Sequence, residues 1–256
     1  MTSERELRGG EREGEPIEPE TGTKPTTSRA RPIDTVRRVR WLVPPDRSGE
    51  RLARCVFGLA LFGVGISLVI AADLGAAPWD VFHTGVSDLT GIPVGTVIIL
   101  TGVALLLLWI PLDERMGIGT VLNAIEIGLV VDLVLPRLPH DAPLAARLLM
   151  MTSGVVVVAI GSGFYIGAGL GPGPRDGLMT GLAKRGWSIR LARTGIEVTV
   201  LAVGVVLGGA IGLGTAVFAL GIGPLVEVVL PPLTVDEQPA PAARARQRGR
   251  WRRAAR

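Results

Sequence analysis

Apolar residues in this chain come in long unbroken runs rather than at the spacing of one helix face or one strand face. "CVFGLALFGVGISLVIAA", "VGTVIILTGVALLLLWIPL" and "TSGVVVVAIGSGFYIGAGLG" contain no charged residue. About 20 helical residues cross the hydrocarbon core of a bilayer, whereas a soluble helix keeps a polar face. Between residues 55 and 232 little such patterning exists. The pattern predicts six spans, at 55–72, 94–112, 117–135, 147–169, 194–212 and 214–231. Acids and glycines interrupt the third and fifth. Only "GLGT" separates the last two, which demands a tight turn.

The polar breaks between the runs repeat. "DLGAAPWDVFHTGV" (73–86) and "GLGPGPRDGLMTGL" (169–182) share L-G-x-x-P-x-D-x-x-x-x-G at an offset of 96. Gly75, Pro78, Asp80 and Gly85 therefore answer to Gly171, Pro174, Asp176 and Gly181, with Arg175 inside the second copy. Further on, "GIGTVLNAIEIGLVVDLVLP" (117–136) and "GLGTAVFALGIGPLVEVVLP" (212–231) match at an offset of 95, pairing Asp132 with Glu227. The small residues Gly63, Ser67, Ala71 and Gly75, and again Gly163, Gly167 and Gly171, recur at a spacing that lets helices approach closely in lipid. The expected fold is an all-α membrane protein of six transmembrane helices, built as two inverted three-helix repeats. An odd number of spans per unit turns the second copy over, and a pseudo-two-fold axis in the membrane plane should relate the halves.

Four segments follow: a tail at 1–50, a first repeat at 51–136, a second at 137–232 and a tail at 233–256. Both tails are rich in charged residues, Pro and Gly and poor in large apolar side chains, so disorder is expected there. Trp41 and Trp251 sit among basic residues, where their rings suit a membrane surface. Of 27 Lys and Arg, 12 precede Val56 and 7 lie in 233–256. With both tails inside, only Arg137 and Arg147 fall outside, in line with the positive-inside rule. The basic excess thus reads as topology, with attraction to anionic lipid headgroups at the tails, and not as a nucleic-acid interface.

Few polar groups lie within the apolar block. Asp80 and Asp176 carry two readings: each caps a short helix after its Pro, or each lines a polar path in a partly re-entrant turn. Glu126, mid-span, needs a partner, water or a proton, and Asn123 shares its face. Asp132 and Glu227 read either as interfacial structural acids or as symmetric gates. Arg193 and Glu197 are four apart and able to pair. Gly204, Gly208 and Gly212 offer packing within a chain or between copies of a homo-oligomer.

Catalytic sets are missing from the sequence. His83 and His140 are the only histidines, and both fall on predicted outer segments. Cys55 is the single cysteine, so neither a disulfide nor a Cys/His metal cluster is available. "GLGPGPRDG" lacks the Lys-Ser/Thr of a phosphate-binding loop. No enzyme, metal or cofactor is expected.

"LGAAPWDVFHTGVS", "GTVLN", "LGPGPRDGLMTGLAKRGWSIRLARTGIEV" and "GLGTAVFALGIGPLVE" together resemble the bacterial YczE-like membrane proteins of the YitT group, over about residues 51–231. The resemblance implies an integral protein of the bacterial plasma membrane and supplies no activity. The duplication and the buried acids favour a transporter or channel-like path for a small solute or ion. The rival is a non-transporting scaffold or regulator whose tails bind cytoplasmic partners or anionic lipid. Weaker still is a lipid-acting membrane enzyme, which needs its acids clustered at headgroup level. A wet cavity touching Glu126, Asp80 or Asp176 is the feature that separates transport from scaffolding.

Overall fold

A computed structural model describes residues 46–139 and 141–235; residues 1–45 and 236–256 of the predicted tails, with Trp41 and Trp251, and His140 lie outside the described residues. Every regular element among the described residues is helical. The long helices are α1 (Ser48–Ala71), α3 (Val94–Leu112), α4 (Ile118–Val134, continued by a 3-10 turn at Leu135–Arg137), α5 (Leu144–Gly167), α7 (Ile189–Val206) and α8 (Leu213–Leu233). Two shorter ones, α2 (Pro78–Thr90) and α6 (Pro174–Ala183), arise from the repeated Pro-x-Asp turns. In both, Pro occupies the first helical position, where its fixed φ fits and its missing N–H costs nothing. Five helices are long and apolar enough to cross a membrane: α1, α3, α4 with its 3-10 turn, α5 and α8.

Three boundaries differ from the expectation. Helix α1 starts at Ser48, inside the segment expected to be a disordered tail, because Arg51 anchors its first turn. The span expected at 194–212 is α7, which begins five residues earlier, with Ser188 accepting from the Leu191 N–H as its N-cap, and stops at Val206. A tight turn does not follow. Residues 207–212 form the link, with Gly208 in the left-handed region at φ 100°.

α1 and α5 form the centre, running antiparallel. A Cβ on Gly58 would lie 2.7 Å from the Gly161 carbonyl, and one on Gly65 would lie 2.8 Å from that of Gly154. At the offset of 96, Gly58 answers to Gly154 and Gly65 to Gly161. The two contacts are therefore the same contact made in both directions, as at a two-fold interface. In lipid, this closeness of small residues holds helices together where the hydrophobic effect does not.

The helix ends are tied with the same reciprocity. Arg51, 3% exposed, donates from Nη1 to the Ala168 carbonyl at the end of α5 (2.9 Å). Arg147 donates from Nε to the Ala72 carbonyl at the end of α1 (2.7 Å) and reaches Asp73. The Gly119 N–H, starting α4, donates to the Leu170 carbonyl (2.9 Å), and the Gly214 N–H, starting α8, donates to that of Leu74 (2.7 Å). Gly75 and Gly171 adopt φ of 94° and 120°. That backbone suits glycine, and a Cβ there would strike the opposing helix start, at Gly212 and Thr215 or at Thr120 and Gly117.

Outside this centre α1 packs on α4, α5 on α8, α2 on α7 and α6 on α3. Apolar layers fill the middle, one around Leu59, Ile66, Ile127 and Val158, another around Val69, Val81 and Met151. One pairing is lopsided: α3 lies against α4, while α7 makes no comparable contact with α8.

Candidate functional site

The two short helices bring their N-termini together in the middle of the molecule. Trp79 and Arg175 are repeat equivalents, and the Arg175 guanidinium lies over the Trp79 ring, 4.9 Å from its centroid. The short helices then diverge. Gly85 near the end of α2 packs on Gly204 and Gly209, and Gly181 near the end of α6 packs on Leu112 and Glu114. Large neighbours hold them in place. Trp109 covers Gly177 and donates from its indole nitrogen to the Pro174 carbonyl (2.9 Å), while Tyr165 donates to the Gly171 carbonyl (3.1 Å).

A cavity of about 480 Å³ opens where the N-termini meet. Its volume is that of a small-molecule site. Asp80, Asp176, Asn123, Arg193, Glu197 and Glu227 all line it. The sequence therefore singled out groups from α2, α6, α4, α7 and α8 that converge on one space. Pro78, Pro174 and Arg175 of the turn motifs line it too. Arg193 pairs with Glu197 at 3.1 Å, one turn apart on α7. Arg175 is within electrostatic reach of Asp80, Asp176 and Glu197.

The two turn acids sit differently. Asp176, the third residue of α6, lies beside the Gly173 backbone that precedes the helix and lines the cavity. Asp80 is buried, and its Oδ1 has no hydrogen-bond partner. His83, expected on an outer segment, is instead 1% exposed and lines the cavity, its Nδ1 3.4 Å from Asp80 Oδ1 and likewise unpartnered. The cause is that α2 folds back into the protein, so a segment outside every apolar run is not outside the molecule.

Other residues lie elsewhere. Glu126 is half-buried on α4 and does not line the cavity. Asp132 accepts from the Gly95 N–H (2.6 Å) and from the Thr96 hydroxyl (2.8 Å), fastening α4 to the start of α3. Gly204 and Gly212 pack within the chain, against Phe82 and Leu74, and Gly208 faces open space. Trp79 and Tyr165 contribute to the cavity without having been foreseen; their only sequence signal was an aromatic ring next to the repeated Pro78 and one two residues from Gly163 and Gly167.

Sequence comparisons place the chain in a known group. The family of unknown function DUF6198 matches residues 49–231. An uncharacterized protein of Haemophilus influenzae is 36% identical over 176 residues, 68% of this chain and 81% of the relative. The uncharacterized membrane protein YczE of Bacillus subtilis is 36% identical over 178 residues, 68% of this chain and 82% of the relative. The uncharacterized protein YyaS of the same bacterium is 28% identical over 181 residues, covering 68% and 89%. No solved structure matches. With its apolar helices and its YczE-like sequence, the chain is a multi-pass membrane protein that belongs to the family DUF6198.

Proposed function

We propose that this protein moves a small solute or ion across the bacterial plasma membrane through the cavity between α2 and α6, and makes no covalent change to it. The observation that carries the reading is the cavity itself: about 480 Å³, lined by charged groups, at the meeting point of two opposed helix N-termini. Discontinuous helices with their N-termini at mid-membrane are how many inverted-repeat transporters build a binding site. Irregular backbone at that depth is tolerated where it faces such a cavity.

Parity supports six spans. Arg51 Nη2 reaches the Val235 carbonyl at 3.4 Å, so the described chain begins and ends on one side of the bundle. Five crossings would put the ends on opposite sides; counting α7 as the sixth puts them together. The reciprocal glycine, arginine and backbone contacts support the inverted repeat. Lys184 and Arg185 hold Glu114 and Pro111 at the end of α3, and α4 then starts beside Leu170. These cations share a side with the chain ends, which supports placing both termini in the cytoplasm.

The test uses single cysteines at 80, 126 and 176 in a Cys55→Ser chain, with a membrane-impermeant thiol reagent on intact and inside-out vesicles. Position 176 should label from one face only, position 80 more slowly, and position 126 from neither. Protein in liposomes should then move a solute that protects position 176. If 176 stays unlabelled from both faces, the cavity is sealed and dry, and the scaffold reading replaces this one.

A further inference from the structure

The lopsided pairing of the outer helices points to what the cavity admits. At the offset of 95, Gly91 answers to Gly186, and both take left-handed backbone, with φ of 73° and 95°. That register makes Arg190 the equivalent of Gly95, Glu197 of Gly102, Ala219 of Ala124 and Gly223 of Gly128. In the first half these glycines let α3 lie on α4: a Cβ on Gly102 would be 3.1 Å from that of Ala124, and Gly95 meets the Gly128 carbonyl. In the second half the two glycines of α3 have become charged side chains on α7. Nothing lies within 4 Å of a Cβ on Gly223, and a cleft separates α7 from α8. One end of the cleft is the cavity. At the other lies a shallow, open apolar surface formed by Leu201, Ile211, Thr215 and Ala216. Ala219 borders both spaces.

Charge and hydrogen bonding set the polar end. Four carboxylates line it, Asp80, Asp176, Glu197 and Glu227, against two guanidiniums, Arg175 and Arg193. The two helix N-termini together offset about one unit of the difference, which leaves one carboxylate to a cation. An uncompensated charge in such a site is costly. Glu227 lines the space with no hydrogen bond or ion pair among the described residues, and the buried Asp80 Oδ1 has no hydrogen bond, with only His83 Nδ1 beside it at 3.4 Å. A carboxylate oxygen accepts only, so what it lacks is a donor, and an ammonium group offers three donors and no acceptor.

We propose that the cavity binds the protonated amine of an amphiphile whose apolar tail occupies the cleft between α7 and α8. This substrate class rests on the transport reading above. The head replaces the missing cation; the tail fills the gap that charged residues on α7 keep open.

Native mass spectrometry of the detergent-solubilised protein, titrated with dodecylamine, n-butylamine and dodecanoate, tests it. One dodecylamine should bind saturably, n-butylamine at least tenfold more weakly, and dodecanoate not at all. Glu227→Gln should weaken dodecylamine about tenfold. Gly223→Phe, whose side chain enters open space, should block dodecylamine while leaving the weak binding of n-butylamine intact. Equal binding of dodecanoate, or no effect of either variant, overturns the proposal. Equal affinity for n-butylamine overturns the role of the cleft and assigns the cavity to a soluble amine. An amine that binds but is not moved in liposomes ends the transport reading and leaves this site standing. A solute moved with no amine bound does the reverse.

Discussion

Arg51 and Arg147 show how single side chains hold the two halves together. Each starts the first long helix of its half and closes the last turn of the opposite one. Helix C-termini leave carbonyls without intrahelical donors. Arg51 serves three acceptors besides Asp46 Oδ2: the Asp46, Ala168 and Val235 carbonyls. Arg51→Ala should destabilise the protein by about 1–3 kcal/mol, the cost of leaving buried acceptors unmade. Arg51→Lys should recover only part, since a point charge does not reproduce the planar fork. Thermal unfolding in detergent reads both, with the exposed Arg115→Ala within about 0.5 kcal/mol of the parent as comparator. A melting point unchanged in Arg51→Ala would show that these bonds contribute nothing net. Such acids and bases were partly legible in the sequence. Asp80 and Asp176 stood out because the turn repeats, and Arg193 and Glu197 because they are charges in an apolar stretch. Glu126 stood out for the same reason but lies off the cavity, because a lone acid on a helix does not reveal which neighbour its face meets. His83 was misplaced because hydropathy separates spans from loops and has no signature for a buried half-helix.

At the scale of elements, α2 and α6 position the site, and each is wedged differently. Trp109 of α3 presses its buried ring on Gly177 of α6. In the other half Gly204 of α7, the offset-95 equivalent of Trp109, faces the Val81–Phe82 backbone of α2. Bulk has moved from one partner to the other while the contact stays close, in keeping with the tolerance of packed interiors for volume-conserving exchange. Gly177→Ala should therefore overpack the Trp109 ring, cost about 1–3 kcal/mol, and lower the yield of folded protein. Trp109→Phe in the same chain should restore part of that loss by making room, at the expense of the bond to Pro174. Size-exclusion profiles and melting points of Gly177→Ala, Trp109→Phe alone and the double variant decide it. Additive damage from the two changes would mean that the ring and the glycine do not compete for one space. The long apolar elements were plain from the sequence. The link at 207–212 was not, because "GVVLGGAIG" reads as continuous span until Gly208 turns left-handed.

For the whole molecule, the decisive feature is that two matching halves adopt unlike arrangements. α3 rests on α4, latched by Asp132 at Gly95 and Thr96, while α7 stands apart from α8 and Glu227, the equivalent of Asp132, faces the cavity. On the transport reading, exchange of the two arrangements around a fixed site is alternating access. On that reading, the opposite state would bring α7 nearer α8 and Gly223 nearer Arg190, without the backbone-close contact that only a glycine allows at Gly95 and Gly128. A disulfide needs its two Cα atoms within about 7 Å, and in the described state a Cβ on Gly223 has no neighbour within 4 Å. Arg190→Cys with Gly223→Cys, in the Cys55→Ser chain, should therefore form no disulfide at rest in this state. It should form one when oxidant is added under a solute gradient, because oxidation drains even a minor population of the closed state. Transport into liposomes should then fall to background and return on reduction. A control bearing only one of the two cysteines should keep its rate under oxidant. If the pair never bridges while transport proceeds undiminished, the halves do not exchange, and the solute instead passes through a continuously open path between α7 and α8.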